Sequence, residues 1–380
     1  MKKIYFALAL CVVTMAGMTS CSNEEELQAE EETLLPLTPH VVTRCEVAEA
    51  LQSIEVDDEL TQEIHALVTN ALATGHDEEI SFKKMFSDEE QTRAIGSIVM
   101  RERLRKLVAE SNTRSDKDNQ LFNPAWLRGL INSDVIIYWP YSEDWDGKEL
   151  PTIVAAPEEK DVENVEGVKI TLDEAGLHYD TIMVNEDYAR EHPVWVINEK
   201  ADDPDVVYLR TSNLEKDETE ITRSASNPLW VWRLTQMKVT HQYDTWLDGG
   251  SEFDIRIIYP ELQGYVSMCT KIRINFTRKK ISNKTWKPLN ELLNTNWRVQ
   301  QINNGLIINE YDGDGNDKNV TFTVSYTDGT NTYNTGVTYT VNDKDDDIGQ
   351  LVVDRDYALQ HTSYNFDNNH VQLIAPLAAE

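Results

Sequence analysis

The sequence predicts a mainly β protein with an α-helical N-terminal segment, a small β-rich middle domain and a C-terminal antiparallel β-sandwich. Three observations predict it. Residues 44–112 carry apolar side chains at helical spacing. Residues 120–200 break into short β-branched and aromatic runs bounded by turn residues. From Leu229 onward such runs follow one another at turn-sized intervals, which is the pattern of a sandwich. At 380 residues the chain is too long for one ordinary sandwich, and its 40% hydrophobic content is enough for packed cores.

The first 21 residues read as a secretion signal. Lys2 and Lys3 give a positive start, and residues 4–13 give an apolar core too short to span a bilayer. Met18-Thr19-Ser20-Cys21 closes the segment. This resembles a bacterial lipoprotein signal, with Met18 where Leu is usual; in such signals the cysteine is lipidated and becomes the first residue. Ser22-Asn23-Glu24-Glu25-Glu26 resembles the acidic export tag of Bacteroidetes-type lipoproteins displayed on the cell surface. The resemblance implies a protein held at the outer membrane, on the cell surface, by lipid on Cys21. Residues 22–43, Glu-rich and then Pro-bearing, read as an acidic tether.

Residues 44–119 form the helical segment. Leu60, Ile64, Leu67, Val68, Ala71 and Leu72 make one amphipathic stripe, with Asp57 or Asp58 to cap it and Gly75 to end it. A second helix is expected over residues 88–111. Its Arg93, Arg101, Arg103 and Arg105 read as a solvated face, or as a docking surface for an acidic partner. His65 and His76 read as surface or cap histidines, and residues 113–119 as a polar linker. In the 120–200 domain strands are expected at 134–140, 151–157, 167–171, 181–184 and 193–197. The turn Tyr141-Ser-Glu-Asp-Trp-Asp-Gly147 is aromatic and acidic. Either Trp145 folds back onto the core, or the turn is an exposed ligand site, since aromatic faces stack on sugars. This stretch and the one around Asn185-Glu-Asp-Tyr188 are similar to segments of uncharacterised surface lipoproteins. Residues 201–228 read as a linker before the 229–380 sandwich.

The sandwich carries three acidic loops: Asp244-Thr-Trp-Leu-Asp248-Gly-Gly-Ser-Glu252, Asp312-Gly-Asp314-Gly-Asn316-Asp317, and Asp343-Lys-Asp345-Asp346-Asp347. Strands are expected at 253–259, 266–276, 297–301, 306–310, 320–326, 336–341 and 351–353. If successive strands are antiparallel neighbours, all three loops fall at one end. Clustered carboxylates repel unless they are solvated or surround a cation. The loops are therefore hydrated turns or a Ca²⁺ site, Ca²⁺ accepting six to eight oxygens from flexible loops. Asp312-x-Asp314-x-Asn316 is not an EF-hand: Asp317 stands where Gly is required, and strands flank it. The stretch from Leu247 to Ile257 is similar to the first calcium loop and following strand of C2 domains, with Glu252 in place of an aspartate. The stretch from Val341 to Gly349 resembles their third loop. That resemblance implies a C2-like sandwich with Asp248, Asp343, Asp345 and Asp347 as cation ligands. Glu252, Asp312 and Asp314 complete the expected set.

The net charge of −31, from 66 acidic and 35 basic residues, excludes nucleic acid as a partner. Four cysteines without CxxC spacing make a zinc site improbable on chemistry alone. Outside the leader, Cys45 and Cys269 are read as a disulfide or as two separate buried thiols. No HExxH, phosphate loop or GxSxG occurs, and His192 and His241 are isolated. The expectation is a non-enzymatic surface binding or adhesion module, calcium-stabilised, with a glycan or protein ligand. The alternatives are a surface glycan-processing enzyme and a structural subunit of a surface assembly.

Overall fold

The structure is a computed structural model that describes residues 40–87, 98–113, 121–159, 162–200, 228–260, 267–312, 316–342 and 345–380. The leader with Cys21, nearly all of the tether, residues 88–97 of the expected second helix, most of both linkers, Asp314 and Asp343 lie outside the described residues. No described helix is long and apolar enough to cross a membrane.

The N-terminal half is mixed. Helices α1 (Arg44–Ser53), α2 (Asp58–Ala73), α3 (Phe82–Phe86), α4 (Ile98–Thr113) and α5 (Pro124–Ile131) precede or surround the first strands. Their ends are set by local chemistry. Thr43 and Glu46 form a reciprocal capping box on α1, and the Asp57 carboxylate caps α2. Gly75, at φ 91°, follows the end of α2 in a conformation that suits glycine. Asn123 caps α5, with Pro124 at its first position, where a missing N–H costs nothing. Arg103 on α4 is not on a solvated face; it pairs with Asp57 at 2.8 Å and ties α4 to the start of α2.

Six strands make the first sheet: β1 (Glu79–Ser81), β2 (Val135–Tyr138), β3 (Thr152–Ala155), β4 (Val165–Asp173), β5 (Gly176–Val184) and β6 (Val194–Glu199). Their order is β1-β2-β6-β3-β4-β5, antiparallel except for the β3–β6 pair. Helix α6 (Glu186–Glu191) links β5 to β6. Side chains alternate across the sheet. Ile137, Ile153, Trp195 and Ile197 join Leu51, Leu60, Ile64 and Trp126 of the helices in one core. The helical segment and the β-rich segment therefore share a single hydrophobic interior. Ile136, Tyr138, Val154 and Val196 face the other way, onto Trp246 and Leu247 of the C-terminal half. Both faces are covered, which is why these strands read as unbroken apolar runs.

The C-terminal half holds two facing sheets. One has the order β14-β11-β8-β9, from β8 (Ser251–Pro260), β9 (Ser267–Phe276), β11 (Asn303–Glu310) and β14 (Asp347–Asp354). The other is built from β7 (Trp230–Val239), β10 (Lys287–Asn294), β15 (Ser363–Phe366), β16 (Val371–Ile374) and β17 (Leu377–Ala379), with β7 central. Between them Trp232, Met237, Phe253, Ile255, Ile257, Trp297, Leu306, Ile308 and Val371 form the second core. A two-stranded hairpin, β12 (Asp317–Thr327) with β13 (Thr332–Asn342), covers the outer side of β8 and β11. Its Phe322 and Val324 pack on Ile258 and Ile307. Gly305 permits this approach, since a Cβ there would stand 2.4 Å from the Phe322 ring.

Three sequence expectations change. Residues 297–301 are a turn, not a strand; Trp297 is fully buried and its Nε1 donates to the Gln301 carbonyl at 2.8 Å. The strand lies earlier, at β10. His65 is half-buried rather than a free surface ring: it packs 4.8 Å from Trp145 and 5.4 Å from Trp139. Trp145 does fold back onto the core. Cys45 is a free, exposed thiol and forms no disulfide.

The two halves meet through Arg278 at the start of α7 (Arg278–Ser282), a side chain only 2% exposed. Its Nε donates to Glu186 on α6 at 3.0 Å. Its Nη1 donates to the carbonyls of Asp244, Thr245 and Gly249 at 3.1, 2.9 and 3.1 Å. Replacing it by Met leaves these acceptors buried without a cation. Arg278→Met should lower the unfolding free energy by on the order of 3–5 kcal/mol, read from urea denaturation. Arg278→Lys should recover only part, because an ammonium lacks the guanidinium's fork of donors. A Met variant with the wild-type midpoint would refute this role.

Candidate cation site at the junction of the two halves

The segment between β7 and β8 is shaped by its glycines. Gly250 donates its N–H to Asp77 Oδ2 at 2.7 Å, and a Cβ there would lie 2.1 Å from the Phe276 carbonyl oxygen. Gly249 adopts φ 128°, where a side chain would be strained. Trp246 and Leu247 plug into the first sheet. The loop is thus fastened on both sides, and Asp244 is held at its entry.

Strand register places the acidic loops. Phe253 pairs with Glu310, and Asn309 with Asp347. The segment before β8, the segment after β11 and the segment before β14 therefore leave the sheet at the same end. Glu310 closes β11 and is 1% exposed. Asp312 lies two residues on. Carboxylate oxygens of Asp244, Glu310 and Asp312 all lie within 4.8 Å of one another.

These groups border a cavity of about 240 Å³ between the halves, lined by Arg44, Asn198 and Lys200 from one side and by Asp244, Asp248, Glu252 and Asp312 from the other. Glu252 is 3% exposed. Lys200 Nζ bridges Glu252 Oε1 and Glu79 Oε2, the latter at 3.1 Å. Burial would lower the Lys200 ammonium, but the Glu252 and Glu79 charges hold it well above its usual range. The second Glu252 oxygen, Oε2, has no hydrogen-bond partner among the described residues; Arg273 Nη1 stands 4.0 Å away as its ion-pair partner. Burial and then the Asp244 charge raise the Glu310 carboxyl. Burial likewise raises Asp244.

Of the residues expected from the sequence, Asp312 enters the cluster. Asp248 and Glu252 line the same cavity. Asp248 accepts from Asn198 Nδ2 at 3.1 Å and from the Thr245 hydroxyl at 2.6 Å. Asp345 accepts from the backbone N–H of Asp312 at 3.3 Å and of Asn342 at 3.2 Å, so it braces the loop. Asp347 is exposed at the start of β14 and borders a different depression, with Asp345. Asp314 and Asp343 lie outside the described residues. Sequence reasoning missed two members. Asp244 opens the first loop but matches no family position, and Glu310 ends an apolar strand. The signal available was Glu310-x-Asp312, two carboxylates at strand period.

Behind the site lies a second buried acid. Glu78 is fully buried; its Oε1 accepts from the Ser142 N–H at 2.9 Å and hydroxyl at 3.0 Å, while its Oε2 and the nearby Tyr138 hydroxyl have no hydrogen-bond partner among the described residues. Comparison with known proteins finds no matching family model, curated protein or solved structure.

Burial, and then the Asp77 charge, push the Glu78 carboxyl from 4.5 up to about 8. The folded protein therefore keeps this proton over a window where the unfolded chain loses it. The stabilisation is fully present below pH 4.5 and is lost as pH rises through about 8. Glu78→Gln should flatten this dependence. Across that window the wild type should lose on the order of a few kcal/mol relative to the variant, measured by denaturation at each pH. Parallel pH profiles would refute it.

Proposed function

We propose that the protein is a cell-surface binding or adhesion module, anchored at the outer membrane by lipid on Cys21, with a divalent cation, Ca²⁺, clamping its two halves. One observation carries the cation. The oxygens of Asp244, Glu310 and Asp312 lie within 4.8 Å of one another, and the buried Glu252 lines the same cavity. Oxygens that close can all reach one ion at Ca²⁺ distances of about 2.3–2.6 Å. Two of the three carboxylates stand on loops, which suits Ca²⁺ better than the strict octahedron of Mg²⁺. Facing antiparallel sheets with acidic loops at one end support a C2-like layout. From the C2 resemblance we carry over the cation and not lipid binding, since the signal and tag at residues 18–26 already supply an anchor.

A glycan-hydrolysing enzyme is the rival that buried carboxyls of raised pKa call to mind. Glycosidases hold their two carboxyl groups about 5–5.5 or 6.5–9.5 Å apart. Oxygens of Asp244, Glu310 and Asp312 lie within 4.8 Å of one another, three carboxylates gathered together rather than a spaced pair. This favours a cation, or a shared proton, between them.

Melting in CaCl₂ and in chelator tests the cation. At a hundredfold excess over Kd, Ca²⁺ should add about 2.7 kcal/mol, several degrees in Tm. Asp312→Asn and Glu310→Gln should each abolish most of the gain. Identical melts of the wild type in Ca²⁺ and chelator would overturn the reading. The anchor has its own test: Cys21→Ser should move the protein from the membrane fraction to the soluble fraction, and retention at the membrane would refute lipidation there.

A further inference from the structure

We propose that the cleft beside Trp145 binds a neutral saccharide ring. The inference rests on the surface-binding reading and assigns it a ligand class. The cleft is about 330 Å³, within the range of small-ligand sites and enough for one or two sugar rings. It lies between the 141–149 turn and the C-terminal end of α6, and it includes none of the cation-site carboxylates.

Its aromatic platform is pre-set. The half-buried Trp145 ring rests on Trp139 at 5.3 Å and on His65 at 4.8 Å, and its Nε1 donates to the Glu149 carbonyl at 2.9 Å. A fixed indole that lines an open cleft offers an apolar face to the C–H face of a pyranose with little ordering cost. Tyr141, behind it, adopts φ 60°, a left-handed conformation that an aromatic residue holds only under constraint. The constraint is visible: its hydroxyl donates to Glu186 at 2.7 Å and accepts from Arg190 Nε at 3.0 Å.

Around the platform stand groups that match hydroxyls. His192 Nδ1 is bound to Glu149 Oε2 at 2.8 Å, which fixes the imidazole and leaves its Nε2 for a ligand. Lys148 and Asp146 pair at 2.7 Å across the rim and present a donor next to an acceptor, as a sugar hydroxyl requires. The carboxylates lining the cleft, Asp144, Asp146, Glu149 and Glu191, outnumber the cations Lys148 and Arg190. This balance disfavours phosphate, sulfate and uronic acids.

The experiment is an array of neutral glucan, mannan and galactan oligosaccharides, with amino-sugar oligomers, sulfated and uronic oligosaccharides and choline beside them. Binding is followed by titration calorimetry in Ca²⁺ and in chelator. The expected result is binding of a neutral oligosaccharide, weakened about tenfold or more in Trp145→Ala, less in Trp145→Phe, and also weakened in Glu149→Gln. Circular dichroism checks that each variant folds, and Glu149→Gln carries the test if Trp145→Ala does not. Absence of neutral-saccharide binding, tighter binding of a charged probe, or unchanged affinity in the folded variants would overturn the proposal. Calorimetry reads the cleft directly, so failure here is separate from failure of the calcium-dependent melt.

Discussion

The contact on which the junction depends is the buried guanidinium of Arg278. A lone ion pair taken out of water gains little, because desolvation offsets the attraction. Arg278 does better by spreading its donors. One goes to the Glu186 carboxylate and the rest to three backbone carbonyls of the 244–249 segment. Those carbonyls belong to a loop outside helix and sheet; that of Thr245 also accepts from the Asp248 N–H at 3.2 Å, and the arginine supplies donors to all three. The same contact fixes where Asp244 sits, and so where the acidic cluster can form. It also holds Trp246 and Leu247 against the first sheet, which would otherwise expose an apolar face.

Glu186 Oε1 accepts from both Arg278 and the Tyr141 hydroxyl. A single oxygen atom therefore joins the base of the Trp145 cleft to the loop that carries Asp244. Lys279, next to Arg278, reaches Asp144 at 2.6 Å and adds a second tie between the C-terminal half and the 141–149 turn. The aromatic turn and the acidic loop are far apart in sequence and belong to different halves, yet each is held by residues of short helix α7.

What the sequence disclosed follows from how local each signal is. The stripe Leu60, Ile64, Leu67 and Val68 found α2, because helical period and burial coincide there. The middle strands were legible as apolar runs, although nothing local said that β3 and β6 pair in parallel across the intervening hairpin. The end-on grouping of the acidic loops followed from antiparallel parity, even though one strand was placed at 297–301 and the real one is β10. One strand exchanged for another leaves parity unchanged. Strands β15, β16 and β17 were missed because each is only three or four residues long, with too few alternations to stand out. The cluster itself was half legible. Asp312 was seen as a loop aspartate, but Glu310 is a strand residue whose importance comes from a neighbour, Asp244, across the sheet end. That adjacency is tertiary, and spacing along the chain does not encode it.

Along strand β8 the fold matches buried acids with bases, and the acidic cluster stands at the end of that strand. Its outward side carries Glu252, Asp254 and Arg256, all buried. Asp254, fully buried, meets Arg273 at 2.8 Å and Lys271 at 3.1 Å. Arg256 reaches Asn309 and the Thr340 carbonyl, clamping the hairpin. Farther along, Glu252 Oε1 meets Lys200. The strand's buried acids are thus each matched by a base that the fold supplies. One step beyond, the carboxylate oxygens of Asp244 and Glu310 lie within 4.8 Å of each other, and Glu310 accepts from the Glu252 N–H. Carboxylates this close repel unless a proton, a base or a cation sits with them. The divalent ion proposed above would complete, along the end of β8, the charge matching that arginine and lysine perform along its length.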